Sequence, residues 1–179
     1  MSITFEENIR AETVQKVAEQ MLIAARTAPK AKGIDNLSIA LLDKEGIRKL
    51  SDRLKEMASR KETMAHLMRD ANNILSADRL VLIGTRLKSI GLRSCDMCGY
   101  PSCDEKDKHP EVPCIFNPGD LGIAVGSAVS VAMDARVDSR IMYSVGLAAI
   151  ELKLLGEDVK IALGIPLSVS AKNPFFDRK

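Results

Sequence analysis

The stretch LGIAVGSAVSVAM at 121–133 constrains this chain more than any other, being thirteen residues without a charge and apolar on nearly every helical face. Such a helix has no side it can turn to water at low cost, so it is expected to sit centrally and be buried. It falls short of the ~20 residues that a bilayer span requires, so its cover is protein rather than lipid. Asn117-Pro118-Gly119-Asp120 marks its start, with a capping Asn, a Pro at the first helical position and an acid in the first turn. The helix is predicted to end near Ala135, and Gly122, Gly126, Ser127 and Ser130 leave room for a second helix to approach closely. Its two acids, Asp120 and Asp134, have no evident partner.

The neighbouring segments predict what this helix packs against. Ile9, Val14, Val17, Ala18, Met21, Leu22 and Ala25 recur at helical spacing over 9–27, and Pro29 and Gly33 stop that helix. LSIALLD (37–43) and RLVLIGT (79–85) are short apolar runs, predicted as buried strands, with two amphipathic helices between them at about 44–58 and 62–76. RIMYSV (140–145) is predicted as a strand, followed by a helix from about Leu147 to Leu155. VKIALGIPLSV (159–169) is a further strand, interrupted by Gly164 and Pro166. A chain of 179 residues buries one core, so the expectation is a single domain over 1–179. Its class is α+β (α/β-type), with a mixed sheet flanked by helices.

Composition excludes several roles. A net charge of +2 and 3% aromatic residues do not suit nucleic acid as the main partner. No run is long enough for the membrane, and the opening MSITFEENIR lacks the apolar stretch of a secretory signal. The expected location is cytoplasmic, where clustered cysteines serve as metal ligands or redox groups rather than disulfides.

All four cysteines fall in CDMCGYPSCDEKDKHPEVPC, a polar, Pro- and Gly-bearing loop, with the spacing Cys95-x2-Cys98-x4-Cys103-x10-Cys114. Two cysteines separated by two residues can aim both sulfurs at one centre, and Gly99 lets backbone amides turn inward. Four thiolates suit a [4Fe–4S] or [2Fe–2S] cluster, or tetrahedral zinc. Zinc sites usually pair one CxxC with another or with HxxxH, so the ten-residue gap here favours a cluster. His109 is the one histidine placed to replace a cysteine, against the plainer reading that it is solvated. Four structural thiols remain the bland alternative. The loop holds Asp96, Asp104, Glu105, Asp107 and Glu111 against Lys106 and Lys108, which predicts a low-potential centre. His66 and His109 have no paired nucleophile, so no Ser-His-Asp or Cys-His set is present and the catalytic residues are unassigned.

The core CDMCGYPSC…C resembles the small four-cysteine iron–sulfur domain CxxCGxxxC…C of anaerobe electron-transport and corrinoid-enzyme subunits. That resemblance implies Cys95, Cys98, Cys103 and Cys114 as ligands of one [4Fe–4S] cluster. The flanks LIAARTAPKAKGIDNLSIALLDKEGIRKL, RLVLIGT, DLGIAVGSAVSVAMDA and VKIALGIPLSV resemble the flavin-dependent nitroreductase family. The whole resembles the ferredoxin-domain-containing family (DUF2148-like), a nitroreductase-like core with a cysteine loop inserted at about 93–116. The resemblance implies FMN at a homodimer interface that includes the central helix, and an unidentified redox partner. The chain departs from the family where the flavin phosphate is held. No clear Arg-x-Ser opens it, and Arg136-Val137-Asp138 replaces a Gly-Leu-Gly. Arg26, Lys30, Lys32 and Arg178 are the candidate phosphate contacts. The alternative is that the first three offset a helix dipole and the last is solvated. Three readings follow: an iron–sulfur redox protein beside a flavin, with an FMN-dependent oxidoreductase activity in prospect; a binding or assembly subunit whose zinc or cluster is structural; or a cluster-free nitroreductase-like enzyme with a structural zinc.

Overall fold

The computed structural model describes residues 1–60 and 64–178. The chain runs α1 (Glu6–Thr27), β1 (Leu37–Leu42), α2 (Lys44–Arg60), α3 (His66–Ile74) and β2 (Arg79–Arg86). It continues with α4 (Cys103–Asp107), α5 (Phe116–Asp134), β3 (Asp138–Ser139), α6 (Tyr143–Glu151) and β4 (Val159–Ser168). Single 3-10 turns occur at Ala31–Gly33 and Pro174–Phe176. The part of the predicted 62–76 helix at 62–63 lies outside the described residues.

Four strands form one sheet in the order β1-β2-β4-β3. The side chains of β2 alternate strictly between two cores. Leu80 and Leu82 join Ile47, Leu50, Leu54, Leu67 and Ala148 on the side of α2, α3 and α6. Val81 and Ile83 join Val14, Ala18, Met21, Leu121, Val125 and Ala128 on the side of α1 and α5. The result is three layers, helices–sheet–helices, with the buried α1 and α5 faces meeting the sheet from one side.

The sheet is not mixed. All three ladders, β1–β2, β2–β4 and β3–β4, are antiparallel. Strands buried on both faces read as unbroken apolar runs, which is the usual mark of a parallel sheet. Here α2 and α3 together connect β1 to β2, and the path of that connection returns the chain antiparallel.

Other boundaries also move. The predicted strand at 140–145 reduces to Asp138–Ser139 and a lone bridge between Met142 and Gly164. The helix behind it begins at Tyr143 and ends at Glu151. β4 runs unbroken through Gly164 and Pro166. Gly164 exchanges both backbone hydrogen bonds with Met142, at 3.0 and 2.8 Å. Two residues on, Pro166 faces the same side, where pairing lapses between Ser139 and Met142 and no N–H is required. The central helix buries only one face. Leu121, Ala124, Val125, Ala128 and Ala132 pack inward, while Gly122, Ile123, Gly126, Ser130 and Met133 are exposed. Among the described residues no helix is long and apolar enough to cross a membrane.

α6 lies on β4 more closely than any side chain would allow. A Cβ on Gly146 would stand 1.7 Å from the Ala162 carbonyl oxygen. Gly146→Ala is therefore expected to force the helix off the strand, costing at least ~1–3 kcal/mol as overpacking does. Urea denaturation should show a lower midpoint at unchanged slope. A variant as stable as the parent would mean that the two elements do not pack this tightly.

Candidate metal centre

Between the end of β2 and the start of α5 the chain is irregular except for the five residues of α4. Left-handed backbone recurs through the first half of this loop. Gly91 (φ 69°) and Gly99 (φ 85°) adopt it freely, whereas Ser94 (φ 54°) and Asp96 (φ 37°) are held there by their surroundings. These reversals turn the chain tightly around Cys95 and Cys98, and the Gly99 amide closes the turn by donating to the Asp96 carbonyl at 2.9 Å. Cys103 opens α4, whose N-cap Ser102 accepts from the Glu105 amide at 3.1 Å.

Cys114 is held from the other side. Asn117 is not the simple helix cap that its sequence suggests, because α5 already begins at Phe116. Its side-chain oxygen instead accepts from the Cys114 amide at 3.0 Å, and its NH₂ donates to the Lys88 carbonyl at 2.9 Å. Buried at 1% exposure, this one amide ties together the two ends of the cysteine loop.

All four cysteines are free thiols and all four line one cavity of about 260 Å³, together with Ser89, Gly91, Arg93 and Tyr100. Cys114 forms its buried floor, and the other three are half-buried. Among the described residues no three Cys, His, Asp or Glu side chains gather tightly enough for a single ion. His109 stacks on Tyr100 with ring centroids 5.2 Å apart and does not line the cavity.

The candidate phosphate contacts fall in two places. Arg26, Lys30 and Lys32 cluster at the end of α1, but oxygens of the chain occupy them. Arg26 pairs with Asp35, whose carboxyl burial pushes up while the Arg26 and Leu37 hydrogen bonds outweigh that and hold it below its ordinary value. Lys30 donates to the carbonyls of Ala25, Arg26 and Ala28 at 3.2, 2.7 and 2.8 Å, closing the helix C-terminus. Lys32 reaches the Ile90 and Gly91 carbonyls at 3.3 and 3.2 Å, and so braces the wall of the cysteine cavity. Arg178 is exposed, beyond the 3-10 turn at Pro174–Phe176. Asp120 acquires a partner through the fold, accepting the Ala31 amide on both oxygens at 3.2 Å.

A second cavity, of about 480 Å³, escapes sequence reasoning. It lies between the first turns of α1 and the end of β4, with Arg10, Ser168, Ser170 and Lys172 in its wall alongside Glu7 and Asp78. The Ser168 hydroxyl is buried and has no hydrogen-bond partner. The local signal is SVSAK (168–172), which begins on the last residue of β4; Arg10 lies 158 positions before Ser168.

Residues 111–178 match the family described as "uncharacterized protein containing a ferredoxin domain" (DUF2148). The chain is 38% identical over 181 residues to an uncharacterized protein of Archaeoglobus fulgidus, covering 97% of this chain and 96% of that one. Solved structures share its fold at low identity. A nitroreductase with bound FMN from Bacteroides fragilis superposes with a TM-score of 0.63 at 15% identity, over 92% of this chain and 81% of that one. A nitroreductase with bound FMN from Desulfitobacterium hafniense gives 0.61 at 14% identity, over 96% and 81%. A BluB-like flavoprotein from Clostridium difficile gives 0.56 at 19%, over 97% and 84%. The chain thus belongs to the ferredoxin-domain-containing family and carries it on a nitroreductase-like fold.

Proposed function

We propose that this is an iron–sulfur redox protein in which Cys95, Cys98, Cys103 and Cys114 hold one [4Fe–4S] cluster. The observation that carries this reading is the single cavity that all four thiols line. A [4Fe–4S] cluster takes one thiolate at each corner and so uses all four. The spacing Cys95-x2-Cys98-x4-Cys103-x10-Cys114 lacks the second CxxC or HxxxH that zinc sites usually pair with the first. Such a cluster supplies one-electron chemistry when bound. The chain's own part is to present four thiolates, to fix Cys114 through Asn117, and to keep the mouth open beside the exposed Met97 for a redox partner.

A flavin is the second group the fold supports, since structures with this fold are described with bound FMN. Two cations, Arg10 and Lys172, and the unpartnered Ser168 hydroxyl make the second cavity a fit for its phosphate. Arg10 and Lys172 also meet chain carboxylates, those of Glu6 and Asp177, just as Arg26, Lys30 and Lys32 serve chain oxygens. It is the buried Ser168 hydroxyl without a partner that favours the second cavity for the phosphate. The outward face of α5, with Ile123 half-exposed and Met133 beside small residues, is the surface for a homodimer contact. A binding or assembly role with structural zinc is the competing reading.

Anaerobically purified protein is expected to carry about four iron and four sulfide per chain, with a broad visible absorbance that reductant bleaches. Each single Cys→Ala variant should lose most of that iron. Full iron and sulfide in all four variants, or a colourless protein with one zinc, would sink the cluster. Asn117→Ala strands the Cys114 amide and the Lys88 carbonyl, and is expected to destabilise by about 1–3 kcal/mol. Its iron should be lost faster to a chelator than that of the parent, and equal loss rates would remove Asn117 from the site. Sedimentation should give twice the 19.5 kDa of one chain, and a monomer at micromolar concentration would exclude the dimer.

A further inference from the structure

One of the largest fully buried side chains among the described residues is not apolar: it is Lys106, in the middle of the cysteine loop. Its side chain is 2% exposed, and its ammonium meets the Asp107 carboxylate at 2.9 Å and the Val112 carbonyl at 3.4 Å. Asp107 in turn accepts the Ser89 hydroxyl at 2.7 Å, and Ser89 lines the cysteine cavity. Ser89 first and Lys106 second hold the Asp107 carboxyl below its ordinary value, so it stays ionised. Lys106 follows Cys103 by three positions within α4, which places the two on one helical face with roughly 5–6 Å between their Cβ atoms.

A buried ammonium is a costly way to fill space. An apolar side chain of the same volume usually stabilises a fold as well or better than a buried ion pair. The loop has a reason to keep the charge if the charge faces something anionic, and four thiolates around one cavity are anionic. Asp107 offsets part of that charge as its direct ion-pair partner, while Asp96, Asp104 and Glu111 are exposed and screened by solvent. The buried cation is screened far less.

We infer that Lys106 is a positioning residue for the metal centre, a fixed buried cation that balances the thiolates and raises the reduction potential of the group they hold. This rests on the cluster reading above. Adding an electron to an anionic cluster is easier beside a positive charge, so removing the charge lowers the midpoint potential.

The test is a mediated redox titration of anaerobically purified full-length protein, with iron per chain and thermal midpoint measured alongside. Lys106→Met and Lys106→Gln are expected to fold as the parent does and to show a lowered midpoint potential, or a several-fold loss of iron. Lys106→Arg, which keeps the charge, is expected to restore both potential and iron. Neutral variants with full iron and an unchanged or raised potential would overturn the inference. So would a Lys106→Arg protein that behaves like the neutral ones, since shape rather than charge would then be responsible. Parent protein without iron would overturn the cluster reading itself, and this assignment with it. A parent with iron but indifferent variants would overturn only the role of Lys106.

Discussion

Strand β2 leaves no face to water: from Leu80 to Thr85 every side chain is buried, alternately in one core and then the other. The placement of the other elements follows from that double burial. α1 and α5 cover one face while α2, α3 and α6 cover the other, and β1 and β4 take its two hydrogen-bonding edges. A strand so enclosed is a rigid launching point. The cysteine loop departs from its end at Arg86 and returns at α5, whose inner face packs in the same core as Val81 and Ile83. The candidate metal site is thus a polar loop hung between two of the most buried elements of the molecule.

That loop has almost no apolar core of its own, and it is organised by polar groups used as fillers and clamps. Ile90 is buried beneath it. Asn117 ties Lys88 to Cys114, Lys32 holds the Ile90 and Gly91 carbonyls, and Ser89 reaches Asp107. The loop is therefore connected to the core by hydrogen bonds rather than by packing. Left-handed Ser94 and Asp96 show the backbone held in conformations that neither residue prefers. Such constraint suits a site that must present four sulfurs at fixed positions, because it lessens the ordering that remains to be done when a ligand arrives.

The two cavities differ in kind. One is lined by thiols and lies in the cysteine loop; the other is lined by hydroxyls and charges and lies where α1 begins and β4 ends. Arg10 lies in α1 near its start, and Lys32 stands in the 3-10 turn just past the end of that helix.

Much of this was legible in the linear sequence because it depends on local period and residue type. The strand runs 37–43 and 79–85 and the helices of α1, α2 and α5 follow from spacing, and the metal candidates follow from four cysteines in one polar segment. What the sequence could not carry was partnership at a distance. The same doubly buried strand pattern serves parallel and antiparallel sheets, so the direction of pairing was decided by the path of the connecting segments rather than by the strands themselves. Asn117 carries the signature of a helix cap, yet it spends its side chain on Cys114 and on Lys88, 29 positions away. Lys106 looks like one more surface charge until the loop closes over it. Arg10, Ser168 and Lys172 meet only because α1 lies across the end of β4. Local chemistry determines which residues can bind a metal or a phosphate; only the tertiary structure decides which of them face the same space, because that depends on contacts between segments that no short-range pattern encodes.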